Sequence, residues 1–242
     1  MSDNAPAIAH PAATVVLLRD GDGGCEALLV RRNAQLSFHG GAWVFPGGRL
    51  DPEDYTGVAD PSDVLAAARN AAVREALEEA GVTVARDGLI ALSRWVTPEG
   101  LPKRFDTWFF ATRALDEAVQ VDGGEIHEHR WQRPVAALEA QRAGEIELPP
   151  PTFVTLTGLA AYGSVAAALA AVARGPFETF VPRLHMIPGG ACTLYADDAG
   201  YEDGDIERPG SRHRLWILES GWRYERTGSA APTAVKPAAT RR

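Results

Sequence analysis

The sequence predicts an α+β fold or a mixed-sheet α/β sandwich. Three observations carry this. Strand-like runs flank one long capped helix, an Ala-rich helical stretch follows, and short strand-like runs return at 185–225. The apolar share is 45% and the charged share 23%, ordinary for a folded chain able to bury a sizeable core.

Residues 1–12 are small, polar and Pro-containing, and are expected to be disordered. Thr14–Leu18 is an uninterrupted apolar run, the pattern of a buried strand. The turn signal at Asp20–Gly24 makes Glu26–Arg31 its hairpin partner. A short strand, Trp43–Phe45, precedes Pro46-Gly47-Gly48. Asp60 is expected to cap a helix that starts with Pro61 and stops at Gly81. Strands are expected over Leu89–Val96, Phe105–Ala111 and His129–Trp131. Helices are expected over Ala136–Ala143 and over Thr152–Arg174, the latter broken near Gly163. The reading is one domain over 13–226, with a core at 13–150, a cap of helix and short strands at 151–226, and a disordered tail at 227–242.

The net charge is −8, from 24 Lys plus Arg and 32 Asp plus Glu. This argues against sequence-independent nucleic-acid binding. No apolar run approaches the roughly 18 residues of a membrane span, and the N-terminus lacks the basic and apolar regions of a signal peptide. The two cysteines, Cys25 and Cys192, form no paired metal motif and read as reduced thiols. A cytoplasmic protein is the resulting expectation.

The chemistry concentrates in Val73–Val82. Glu75, Glu78 and Glu79 stand at i, i+3 and i+4, so a helix places them on one face. Like charges at that spacing repel, and Arg74 offsets one of them. Oxygen ligands on a rigid helix suit a hard cation such as Mg²⁺, which takes one or two carboxylates and completes its shell with water and phosphate. Gly47 and Gly48 allow close backbone approach and leave carbonyl oxygens nearby.

These two pieces together resemble the Nudix hydrolase family, whose box joins an upstream Gly to Arg-Glu-apolar-x-Glu-Glu-x-Gly-apolar. Arg74, Glu75, Glu78, Glu79, Gly81 and Val82 match, with Ala76 in the apolar slot. Gly48 and Arg74 lie 26 positions apart where the family has 14, an insertion of 12. The family's first Glu falls on Ala66, so Glu53, Asp54 or Asp63 would have to substitute for it. Upstream, Arg32, Leu36, His39, Gly41 and Phe45–Gly48 are similar to the coenzyme A diphosphatase branch. Asn33 and Ser37 depart from that pattern, and the second loses an Arg.

The resemblance implies an α/β/α sandwich with a mixed sheet, extended at its C-terminus. It implies Mg²⁺ or Mn²⁺ held by Gly48, Glu75, Glu78 and Glu79. It makes Glu75, Glu79 and Glu125 the catalytic set, with Glu79 or Glu125 as the proton acceptor. Arg32, His39 and Arg104 are the substrate-binding candidates, while Arg74, Gly47 and Gly81 orient the site. Three functions stay open at this point. They are a coenzyme A or acyl-coenzyme A diphosphatase, a diphosphatase for NADH, ADP-ribose or a nucleotide, and a Nudix-fold binding domain without turnover. A homodimer is one expected state, since family members are often dimers.

Overall fold

Val15–Leu18 and Ala27–Val30 are fully buried, as continuous apolar runs require when a sheet is covered on both faces. They lie in β1 (Ala9–Gly21) and β2 (Gly24–Arg32). The two form an antiparallel hairpin whose last pair is Gly21 with Gly24. The computed structural model describes residues 7–35, 40–115, 118–121, 124 and 126–227.

The remaining strands of the main sheet are β3 (Trp43–Val44), β4 (Gly47–Arg49), β5 (Ile90–Val96), β6 (Arg104–Arg113), β7 (Ile126–Gln132) and β8 (Glu178–Phe180). The order is β3-β2-β1-β6-β5-β8, with β4 on β1 and β7 on β2. The sheet is mixed: β1 runs parallel to β6, and β5 runs parallel to β8. Residues 178–180 of the C-terminal third therefore extend the main sheet.

Alternation along β1 and β2 divides the core between two faces. Val15, Leu17, Leu28 and Val30 meet α1 (Val64–Ala80) through Ala68, Ala71, Ala72 and Ala76. Alanine is the strongest helix former and leaves no bulk between helix and sheet. Val16, Leu18, Ala27 and Leu29 face α2 (Pro134–Arg142), α3 (Pro150–Leu159) and α4 (Val165–Arg174). On that side also sits an antiparallel meander of β9 (Arg183–Ile187), β10 (Gly190–Leu194), β11 (Arg212–Leu218) and β12 (Gly221–Thr227). The result is an α/β/α arrangement with a second small sheet. Trp95 stacks on Phe180 at 3.9 Å, with Tyr195 edge-on, which fastens the meander side to the main sheet.

Two boundaries differ from the sequence reading. Strand pairing starts at Ala9, because 9–13 pair with Arg104–Trp108 of β6; the N-terminal reading of 1–12 as disordered was therefore too long. The helix begins at Val64 under Asp63, whose carboxylate accepts from Ala66 N at 3.0 Å. Asp60 instead closes a local turn with the Ser62 N–H and hydroxyl. The break expected near Gly163 is present: 152–174 is two helices, and Ser164 caps α4 by accepting from Ala167 N. The tail from 228 lies outside the described residues.

Candidate active site

Gly47 and Gly48 are glycines for steric reasons, β1 crowding the first and α1 the second. A Cβ on Gly48 would fall 2.7 Å from the Glu75 carboxyl carbon, and one on Gly47 would fall 2.7 Å from Thr14. The Glu75 carboxylate thus rests on the Gly48 backbone, while the Gly47 N–H donates to Glu79 Oε2 at 2.8 Å. Glu75 and Glu79 are buried at 8% and 6% exposure. Glu78, one turn from Glu75 but rotated outward, is exposed and bound to Arg74 at 2.9 Å. The three carboxylates share a helix side, but only two face the loop.

Arg74 organises this group. Its guanidinium donates to both Asp54 oxygens at 3.1 and 2.9 Å, to Glu75 at 2.8 Å, to Glu78, and to the Arg49 carbonyl at 2.9 Å. Bidentate pairing is what a planar guanidinium does best. The Asp54 pairing, above all, raises the Arg74 pKa over its ordinary value. Asp54 sits in the 3-10 turn Pro52–Tyr55, is 4% exposed, and also accepts from Asp51 N at 2.8 Å. Of the three acids named for the vacant Glu position, Asp54 is the one that reaches Arg74. Glu53 is exposed and Asp63 caps the helix. The insertion therefore returns a carboxylate to the place its length took away.

Gly81 ends α1 in the left-handed region, φ 66°. Its N–H donates to Leu77 O, the bond of an αL helix stop, and the Val82 N–H reaches back to Ala76 O. Val82 is then buried against the alanine face. The closing Gly-apolar pair of the box is thus a helix stop with an anchor.

The other expected residues are placed as follows. Arg32 ends β2 beside Val44 and Phe45 and lines a cavity described below. Arg104 is turned to backbone: it donates to Ala7 O at 2.8 Å and Thr97 O at 3.1 Å, and is not part of the cavity wall. His39 and Glu125 lie outside the described residues.

The sequence reading expected the C-terminal cap to shape a pocket but did not locate the cavity. It encloses about 390 Å³ between the main sheet and the meander. Thr14, Phe45, Trp95, Phe105 and Phe109 form its floor, and Pro149–Pro151, Tyr195 and Ile217 close it from above. Two of its wall residues neighbour Gly47, Thr14 as its strand partner and Phe45 two positions before it, while α1 packs on the opposite face of the main sheet. The signal was present as the aromatics of Phe105–Phe109 and the triple proline, but these lie at least 40 positions apart and converge only through tertiary packing.

Asp54, Glu75, Glu78 and Glu79 against one guanidinium give this group an excess of negative charge. Among the described residues, no three His, Cys, Asp or Glu side chains are gathered tightly enough to cage an ion. Mg²⁺ needs only one or two carboxylates besides carbonyl, water and phosphate oxygens. Glu75, Glu79 and the Gly48 backbone offer that all-oxygen set, so the residues present fit a hard divalent cation.

Residues 9–150, more than half of the chain, match the family model described as NUDIX domain. The chain is 29% identical over 170 residues to the Caenorhabditis elegans protein "Putative nudix hydrolase 7", covering 55% of each. It is 32% identical over 122 residues to the Homo sapiens acyl-coenzyme A diphosphatase NUDT19, covering 47% of this chain and 32% of that one. It thus spans about half and about a third of these relatives' lengths. The solved NUDIX hydrolase from Alicyclobacillus acidocaldarius superimposes with a TM-score of 0.63 at 26% identity, over 71% of this chain and 100% of that one. With the acidic helix seated on the Gly47–Gly48 loop and the family model spanning both, this chain belongs to the Nudix hydrolase family.

Proposed function

We propose that the protein is a divalent-metal-dependent diphosphatase. Its substrate in this reading is coenzyme A or an acyl-coenzyme A, cleaved to 3′,5′-ADP and a phosphopantetheine. The observation that carries the chemistry is the seating of two buried carboxylates, Glu75 and Glu79, on Gly47 and Gly48. Mg²⁺ or Mn²⁺ held there by Glu75, Glu79, the Gly48 carbonyl and Glu78 would polarise the phosphoryl oxygens and activate water for in-line attack. Arg74 keeps Glu75 and Glu78 oriented through its anchor on Asp54. Glu79 or Glu125 takes the proton. Arg32, at the cavity wall, supplies positive charge to the substrate's phosphates.

The coenzyme A choice draws on the Arg32–Gly48 segment, on the name of the human relative, and on an apolar cavity lined by Arg32 and Phe45 of that segment. Residues 13–226 work as one unit in this reading, since both sheets line that cavity. Among the described residues no helix is long and apolar enough to cross a membrane, and two buried free cysteines fit a reducing cytoplasm. A homodimer without nucleic-acid or membrane partners completes the proposal.

The test is product analysis with Mg²⁺ and with Mn²⁺ over coenzyme A, acetyl-coenzyme A, NADH, ADP-ribose and dGTP. Preference for the coenzyme A compounds supports the reading. Preference for NADH or ADP-ribose keeps the metal chemistry and removes the substrate.

A further inference from the structure

Seven residues of the cavity wall lie beyond the family-matched segment: Pro151, Thr152, Pro182, Leu184, Thr193, Tyr195 and Ile217. The C-terminal meander therefore supplies much of the upper wall. The lining is predominantly apolar, and its volume falls in the range of small-molecule sites. Leu101 and Leu184, also on the wall, are 44% and 50% exposed and mark its mouth. Deeper in, Tyr195 is fully buried and its hydroxyl has no hydrogen-bond partner among the described residues. That hydroxyl is closed off from the cavity as well as from solvent, so what the cavity offers a ligand is a predominantly apolar wall. A nucleobase, with several ring nitrogens and exocyclic groups to satisfy, matches it poorly.

We propose that this cavity is the site for the apolar acyl chain of a thioester substrate. The C-terminal meander then sets chain-length preference, while the acidic group at Gly47–Gly48 acts on the diphosphate. The inference rests on the coenzyme A reading for its substrate, but the cavity can be probed without it.

The probe is a series of S-acyl-pantetheines, acetyl to octanoyl, titrated calorimetrically into the full chain. These compounds carry no diphosphate, so they read the cavity whether or not the protein hydrolyses coenzyme A. Affinity is expected to rise about fourfold per added methylene. Leu184→Asp and Ile217→Trp, each checked for a native melt, are expected to flatten that rise. A flat series in the wild type, or a steep series untouched by both wall variants, overturns the assignment. Competitive displacement of octanoyl-pantetheine by adenosine also overturns it, by giving the cavity to the base. A steep series in a protein that leaves coenzyme A uncleaved sustains the site and removes the diphosphatase reading instead.

Discussion

Asp54→Ala tests whether the insertion repairs the site. Asp54 is 4% exposed, gives Arg74 a bidentate partner and accepts from Asp51 N. Removing one member of a buried ion pair costs about 3–5 kcal/mol. The Arg74 side chain is 23% exposed and keeps Glu75 and Glu78, so water and those acids offset part of the loss. A cost of roughly 2–3 kcal/mol follows. At about 2–4 °C per kcal/mol for a chain of this size, Tm falls by roughly 4–12 °C. Arg74 loses its anchor, so hydrolysis should fall about 10–100-fold, as for other residues that hold metal ligands in place. Melting by circular dichroism and product assays read the two effects. Glu53→Gln, one residue away and exposed, is the control and should stay within about 0.5 kcal/mol of wild type. An Asp54→Ala protein that melts and works like wild type would refute the repair.

Three further outcomes are expected. Gly48→Ala drives a Cβ into the Glu75 carboxylate, so Mn²⁺ affinity by calorimetry should fall about 10–100-fold. Burial, ahead of neighbouring charges, pushes the Cys25 and Cys192 thiols up to about 11. At pH 8 only about one in a thousand is thiolate, so neither should react with a disulfide reagent until the chain unfolds. Burial also lowers the His213 pKa, assisted by Arg226 and opposed by its hydrogen bond to Ala196 and by Glu178 and Asp197. The unfolded chain therefore binds more protons at this position. The contribution of neutral His213 is full above about 6.5 and is lost as pH falls through that value toward the folded pKa. The wild type should then lose Tm more steeply between pH 7 and 5.5 than His213→Gln.

Local signals located the site better than long-range ones. Thr14–Leu18 read as a buried strand because a doubly covered strand needs apolar residues on both faces. The Arg74–Val82 segment was legible because helical spacing alone aligns its acids and Gly81 alone permits the stop. The pairing of Glu75 with Gly48 was expressed only as a double glycine, whose reason is the carboxylate that lands on it. Asp54 could be named only as one of three acids, since choosing it needs the path of the insertion. The helix start slipped from Asp60 to Asp63 because both are capping residues and Pro61 fits a turn as well as a first helical position. The cavity stayed hidden because its walls join Phe45, Trp95 and Tyr195 through tertiary packing that no sequence period encodes.

The most direct test compares diphosphate cleavage of coenzyme A, with Mn²⁺ added, by the wild type and by Glu75→Gln. The substitution keeps size and hydrogen bonding while removing the charge that rests on Gly48. The account predicts metal-dependent cleavage by the wild type and a loss on the order of 10³-fold or more in the variant, with its melt preserved. Cleavage by Glu75→Gln at the wild-type rate would contradict it.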